Sequence, residues 1–308
     1  VSDTAPIALT GGTGFVGQAV LDTAAGRNLP IAALARRIPL DDTRAERWIG
    51  GDLGNVDALT DLVGGARALV HVAGLTNTPD SAQFSEVNVT GTQNVIDAVK
   101  AAGVKRLVFV SSLSARKPEL SAYGSSKAAA EELVQTSGLD WTIVRPPGVY
   151  GPRDVDYFEM FRTAKLGFVP LPPRGASSII HADDLSRLLL DLVDGQPALV
   201  RKKIFEPDDG REGGWSHKEL AAAIGRAVGR RVVAPHLPAT LLSFAASADK
   251  LLRGSRAKLT QDRVGYMCHP NWVARFDRKV PAAIWQPQIA GEEGLATTAA
   301  WYRAQGWL

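Results

Sequence analysis

Tyr123 and Lys127 stand four apart in the run Tyr123-Gly124-Ser125-Ser126-Lys127. On a helix that spacing puts both side chains on one face, where an ammonium near a phenol favours its ionised form. Such a pair can give and take a proton. Far upstream, the turn Gly11-Gly12-Thr13-Gly14-Phe15-Val16-Gly17 follows the apolar run Ile7-Ala8-Leu9-Thr10 and opens a stretch with helical apolar periodicity, Phe15, Val16, Ala19, Val20 and Ala24. A strand, a glycine turn and a helix N-terminus in that order bind a dinucleotide pyrophosphate. Bare backbone lets N–H groups reach the phosphates, and the helix dipole favours their charge. Gly11, Thr13, Gly14, Phe15 and Val16 are therefore expected to hold the cofactor.

The elements that carry these groups are short apolar runs alternating with amphipathic stretches. Ile31–Ala35, Trp48-Ile49, Ala68–Ala73, Leu107–Val110, Trp141–Val144 and Ile204-Phe205 read as strands buried on both faces. Between them, 56–63 behind an Asn55 cap, 84–102 and 123–137 read as helices. The alternation predicts an α/β fold, a doubly wound parallel sheet of the Rossmann type, over residues 1–147 and 179–205. After the break at Pro146-Pro147-Gly148-Val149-Tyr150-Gly151-Pro152, segments 148–178 and 206–308 are expected to form a smaller substrate-binding lobe. Helices are expected near 216–228 and 239–252, and Asp183 or Asp184 is expected to cap the helix that follows His181.

Composition excludes several classes. The net charge of +3 comes from basic residues scattered among acids, so a nucleic-acid partner is not expected. One cysteine, Cys268, cannot make an internal disulfide, and the five histidines lack ligand spacing, so no metal site is expected. No apolar run is long enough to cross a bilayer, no signal peptide is visible, and a cytoplasmic location is expected.

Cofactor choice follows from the end of the second strand. An acid there would accept from the ribose 2′-hydroxyl of NAD, but Leu34-Ala35 is followed by Arg36 and Arg37. Two guanidiniums suit a 2′-phosphate, so NADP(H) is preferred over NAD(H). In the alternative, either arginine is solvated, or Arg36 only stacks on adenine.

The chain resembles the extended short-chain dehydrogenases/reductases, the NAD-dependent epimerase/dehydratase-like proteins, nearly end to end. The resemblance rests on the glycine turn, Gly51-Asp52-Leu53, His71-Val72-Ala73-Gly74, Asn88-Val89-Thr90-Gly91-Thr92, Val110-Ser111-Ser112, the Tyr123/Lys127 pair, the 145–152 run and His181-Ala182-Asp183-Asp184, in the family's order. It implies that Tyr123 moves a proton at the substrate oxygen, that Lys127 holds the nicotinamide ribose and lowers the Tyr123 pKa, and that Ser112 steadies the same oxygen, with Ser111 and Ser114 as rivals. It further implies an adenine contact at Asp52 and Leu53, and cofactor contacts at Val72, Ala73, Gly74, Val110, Pro146, Gly148 and Val149. Asn88 either pins the sheet or touches the cofactor. His71 reads as a packed or backbone-bonded histidine rather than an acid/base, and Arg145 as a contributor to packing or to an ion pair behind the nicotinamide pocket.

The substrate is a small molecule. Leu113 and Ser114 stand where dehydratases of the family carry acids, which disfavours sugar 4,6-dehydration. Arg153, Arg162, Lys165 and Arg174 could serve a nucleotide-sugar diphosphate. The mostly apolar pocket candidates Leu75, Val149, Tyr150, Phe158, Phe161, Phe168 and Leu171 favour a hydrophobic carbonyl or alcohol. An NADP(H)-dependent oxidoreductase is the primary reading. A nucleotide-sugar epimerase with the same bound cofactor and a non-catalytic assembly or scaffold subunit are the alternatives. The protein is expected to be a monomer or a homodimer paired through the helices at 84–102 and 123–137. Leu241, Leu242, Phe244, Leu251 and Leu252, with Lys250, Arg253, Arg256 and Lys258 nearby, offer a weaker, peripheral-membrane reading.

Overall fold

The computed structural model describes residues 5–254 and 257–308; Arg256, one of the basic residues named for membrane contact, lies outside them. The strands that read as apolar runs are β1 (Ile7–Thr10), β2 (Ile31–Ala35), β3 (Arg47–Gly50), β4 (Ala68–His71), β5 (Arg106–Val110) and β6 (Asp140–Val144). Three short strands follow, β7 (Gly148–Tyr150), β8 (Ala176–Ser177) and β9 (Ile179–His181), then β10 (Lys203–Phe205), β11 (Trp215–Ser216) and β12 (Asn271–Trp272). Seven strands form one parallel sheet in the order β10-β6-β5-β4-β1-β2-β3. The order reverses beside β1, which opens a crevice at the strand C-termini, the place where doubly wound sheets bind ligands.

The helices are α1 (Phe15–Gly26), α2 (Val56–Val63), α3 (Ala82–Phe84), α4 (Gly91–Ala101), α5 (Ala122–Thr136), α6 (Asp156–Lys165), α7 (Ala182–Asp194), α8 (Pro197–Val200), α9 (His217–Ala227), α10 (Ala239–Arg253), α11 (Gln261–Met267) and α12 (Gly291–Ala304). α1 and α7 cover one face of the sheet, packing Val20, Leu21, Leu185 and Leu189 on Ile7, Leu9 and Val108. α2, α4 and α5 cover the other with Leu59, Leu62, Val95, Val99, Ala130 and Val134. Both faces of the central strands are thus apolar, which is why they read as continuous runs rather than alternating ones. The edge strands β3 and β10 are only partly buried, with Arg47, Gly50 and Lys203 exposed and Trp48 and Ile204 half-buried, which corrects their reading as buried on both faces. The single helix expected over 84–102 is instead three pieces, with a π-helical turn at Ser85–Thr90 between α3 and α4. Such wide turns concentrate at functional sites.

A second core gathers the elements outside the large sheet. Tyr150, Phe161, Leu171, Trp215, Leu220, Ile224, Leu295 and Tyr302 meet there, and β7 pairs with β9 beneath them. Tyr150, Phe161 and Leu171 are sealed in this packing, which corrects their placement as pocket-facing residues. Phe168 is exposed beside Val233, with which it makes an isolated bridge. The cap of α7 also differs from expectation. His181, not Asp183 or Asp184, is its N-cap, its Nδ1 accepting from the Asp183 N–H at 3.2 Å. Asp184 is fully buried instead and accepts the N–H groups of Gln288 and Ile289, fixing the C-terminal segment. On α10, Leu242 and Ala246 pack towards Val264 of α11, while Leu241, Phe244, Leu251 and Leu252 are exposed. No helix among the described residues is long and apolar enough to cross a membrane.

Candidate active site

The glycine turn makes a cradle that side chains would fill. Gly11 has φ +76°, and a Cβ there would lie 2.7 Å from the Ala73 nitrogen; a Cβ on Gly17 would lie 2.0 Å from the Gly11 carbonyl oxygen. Gly14 is the N-cap of α1 and contributes no side chain, and the first turn carries no acid. The leading N–H groups of α1 therefore face the crevice with the helix dipole behind them, which fits a pyrophosphate. Thr13 and Gly14 are exposed at its rim, and Phe15 and Val16 are half-buried. Arg36 and Arg37 leave the end of β2 exposed, and neither makes an ion pair among the described residues. Asp52 is exposed, its Oδ1 accepting the Gly54 N–H at 2.9 Å. Leu53 is buried against Gly91, with its carbonyl held by Asn94. These residues follow the C-terminal ends of β1, β2 and β3.

The other half centres on α5. Its first turn carries Tyr123 half-buried between two rings, Phe84 at 5.8 Å and Tyr266 of α11 at 6.1 Å. Burial pushes the phenol up to about 12, and the Ser112 hydroxyl beside it pulls the other way. Lys127 does not supply the expected lowering. Its Nζ donates to the Val110 carbonyl at 2.8 Å and sits 4.6 Å over the Phe109 ring, and desolvation brings its own pKa down to about 8. The reason is geometric. The ammonium needs a buried acceptor, and the nearest strand end provides it.

Among the three serines, the structure separates the roles. Ser111 is buried and donates to Glu131 of α5, which is also held by Arg145 at 2.8 and 2.6 Å. Arg145 is paired in turn with fully buried Glu206 at 3.5 Å, as its reading as a structural cation implies. Ser114 is buried in the short 3₁₀ turn Leu113–Arg116. Ser112 caps that turn by accepting from the Ser114 N–H at 3.2 Å, and it alone lies beside Tyr123.

A chain of hydrogen bonds joins the two halves. The Thr10 hydroxyl accepts the Ala73 N–H at 3.2 Å and is 2.6 Å from His71 Nδ1; His71 Nε2 is 3.1 Å from the Thr92 hydroxyl, which donates to the Asn88 carbonyl at 2.7 Å. These directions close only if Nε2 carries the hydrogen and Thr10 donates to Nδ1, assigned here from the network. Burial drives the imidazole down to about 3, so His71 stays neutral, a packed histidine. The Asn88 amide closes the chain, accepting from the Leu75 N–H at 2.7 Å and donating to the Leu75 carbonyl and to Ser126 Oγ. The 73–75 loop is thereby fixed. A Cβ on Gly74 would lie 3.1 Å from Asn88 Oδ1 and 3.6 Å from Lys127 Nζ, so Val72, Ala73 and Gly74 run close under α5.

Pro146 follows the end of β6, and Gly148 and Val149 lie in β7, which pairs with β9. A Cβ on Gly148 would lie 2.1 Å from the Tyr157 hydroxyl, so only glycine lets that ring cross β7. Sequence reasoning missed Tyr157 and the α11 residues Asp262, Arg263 and Tyr266. Thr260-Gln261-Asp262 does signal a helix start. Nothing local tells which helix it meets.

Comparison with known proteins bears on the family and the fold. Residues 11–192 match the family described as NAD(P)H-binding. The chain is 32% identical to ceramide reductase from Caulobacter vibrioides (strain NA1000 / CB15N), covering 98% of this chain and 96% of that protein. It is 27% identical to 2-alkyl-3-oxoalkanoate reductase from Stenotrophomonas maltophilia (strain K279a), covering 94% and 97%. The dTDP-glucose 4,6-dehydratase from Streptomyces venezuelae, solved with NAD and TYD bound, shares the fold at TM-score 0.72 and 24% identity over 98% of each chain. With its glycine cradle, seven-stranded parallel sheet and full-length relatives, the chain belongs to the NAD(P)-binding enzymes of the extended short-chain dehydrogenase/reductase family.

Proposed function

We propose that this protein is an NADPH-dependent reductase of a ketone on a neutral, long-chain, apolar substrate. The observation that carries the reading is the setting of Tyr123, a phenol held between the Phe84 and Tyr266 rings with Ser112 beside it. At neutral pH the phenol is protonated, the form that donates to a carbonyl oxygen. Bound nicotinamide supplies the hydride to the carbonyl carbon. Tyr123 gives its proton to the carbonyl oxygen and regains one from solvent. Ser112 holds that oxygen as charge develops on it, and Lys127 orients the cofactor ribose beside α5. Arg36 and Arg37 select NADPH through its 2′-phosphate. Segments 148–178 and 206–308 supply the substrate side.

Three of the surrounding cations are already paired, which favours a neutral substrate, while Lys165 and Arg174 are exposed and make no ion pair among the described residues. Arg263, the guanidinium on α11, is already paired with Asp156 at 2.8 Å and bonded to Lys258 O. Arg153 and Arg162, two candidates for a sugar-nucleotide diphosphate, pair with Asp22 and Glu159. The two relatives matched over nearly their whole length, named ceramide reductase and 2-alkyl-3-oxoalkanoate reductase, favour this reading, while a UDP-glucose 4-epimerase from Vibrio cholerae, 26% identical over 71% of this chain and 76% of that protein, keeps epimerisation as the alternative to test.

The test is cofactor content after gel filtration, followed by turnover of a ketone-bearing ceramide and of UDP-glucose with NADPH. A reductase leaves the column largely free of cofactor and consumes one NADPH per ketone. Repeated turnover of UDP-glucose without net NADPH change would replace this reading with epimerisation.

A further inference from the structure

The first turn of α5, which carries Tyr123, ends in N–H groups that no residue of α5 can satisfy. Ser121 takes two of them, its hydroxyl accepting from Gly124 at 2.9 Å and its carbonyl from Ser125. The remaining two are those of Ala122 and Tyr123 itself. Both go to one carboxylate 140 residues away: Asp262 Oδ1 accepts from Ala122, and Oδ2 lies 3.4 Å from the Tyr123 nitrogen.

The approach of α11 that makes this possible is tight. A Cβ on Gly265 would lie 2.2 Å from the Leu120 carbonyl oxygen, so α11 sits directly on the turn that leads into α5. Thr260 caps α11 by accepting from the Arg263 N–H at 3.2 Å, and one turn on, Tyr266 puts its ring against Tyr123. The Tyr266 hydroxyl accepts from Arg263 Nε at 3.4 Å. Backbone and ring of the same residue, Tyr123, are thus both held by one short helix.

We propose that Asp262 is a positioning residue for the proton donor, and that α11 is the piece through which the substrate side of the protein sets the reach of Tyr123. A carboxylate at a helix N-terminus is favourable by charge as well as by hydrogen bonding. Here it also fixes a rotation. With both N–H groups held, the first turn of α5 cannot pivot, and the phenol keeps its place beside Ser112. Displacement of a catalytic group by about 1 Å costs about a hundredfold in rate. The assignment rests on the reading of Tyr123 as donor.

The experiment compares full-length Asp262→Ala, Asp262→Asn and Tyr123→Phe, with NADPH-competent sites counted by fluorescence titration and NADPH oxidation followed with the ketone-bearing ceramide. Asp262→Ala should keep NADPH affinity within about twofold and lose about tenfold or more in kcat per competent site. Asp262→Asn, whose amide oxygen still accepts, should recover most of that loss. A merely structural role would lower Tm and the number of competent sites and leave kcat per site unchanged, and that result overturns the assignment. If Asp262→Ala yields no competent sites, Gly265→Ala decides: pushed off Leu120, α11 should produce the same kcat loss, and unchanged kcat overturns the proposal. Loss in Tyr123→Phe with none in Asp262→Ala rejects the role of Asp262 alone. Full turnover in Tyr123→Phe rejects the donor reading and this assignment with it.

Discussion

Asn88, in the π-helical turn, donates its side-chain amide to Ser126 Oγ at 2.9 Å, and Ser126 in turn donates to the Tyr123 carbonyl at 2.8 Å. One amide therefore ties the loop at Leu75 to the helix that carries Tyr123 and Lys127. Asn88→Ala leaves the part-buried Leu75 N–H and carbonyl without their partner. It should destabilise the protein by about 1–3 kcal/mol, read as a lower midpoint in urea with unchanged slope. A midpoint equal to that of the unchanged protein would show that the loop holds itself.

Tyr123→Phe removes the proton and keeps the ring between Phe84 and Tyr266. Turnover should fall by about a hundredfold or more while NADPH affinity stays the same. Retained turnover would place the donor elsewhere.

Reduction should also carry an alkaline limb. Lys127, brought down to about 8 by burial, is charged below that pH and neutral above it, whereas Tyr123 stays protonated up to about 12. Reductive kcat/KM should therefore fall as pH rises through about 8, and Lys127→Arg, which stays charged, should abolish that limb whatever activity it retains. An unchanged limb in the arginine variant assigns it to another group.

Replacing Arg36 and Arg37 together with alanine should weaken NADPH by about tenfold or more and NADH by about twofold or less, because only NADPH carries the 2′-phosphate that charge-assisted bonds would hold. Equal affinity of the unmodified protein for both cofactors, by fluorescence titration, contradicts the preference.

Asp154 sets a pH dependence of stability. Its buried carboxyl accepts from Asp156 and Tyr157 N–H at 2.8 and 3.0 Å, yet burial dominates and pushes it up to about 7 from an ordinary 3.8. A pKa raised on folding means that the folded state binds the proton more tightly. This contribution is full below about pH 4 and is lost as pH rises through about 7. Asp154→Asn should flatten Tm between those limits relative to the unchanged protein; a parallel curve would mean that the carboxyl is not the titrating group.

The glycine turn, the Tyr123/Lys127 spacing and the apolar strands were legible because each is a local pattern: φ at Gly11, period 3.6 along α5 and burial on both faces of the sheet act over a few residues. The Asn55 cap and the helix behind Ser216 follow for the same reason. What the local pattern could not decide is which partner each polar group finds. Ser111 and Ser112 are adjacent, yet one turns to Glu131 and the other to Tyr123 because successive side chains leave an extended backbone on opposite sides. Lys127 takes the Val110 carbonyl rather than the phenol, and Tyr150, Phe161 and Leu171 enter a second core assembled from segments far apart in the chain. Asp262 meets the first turn of α5 across some 140 residues of chain, a pairing set by the close approach at Gly265 and by part-buried N–H groups that need a partner. Sequence fixes the short-range geometry; satisfaction of buried polar groups, a property of the whole packed chain, assigns the long-range contacts.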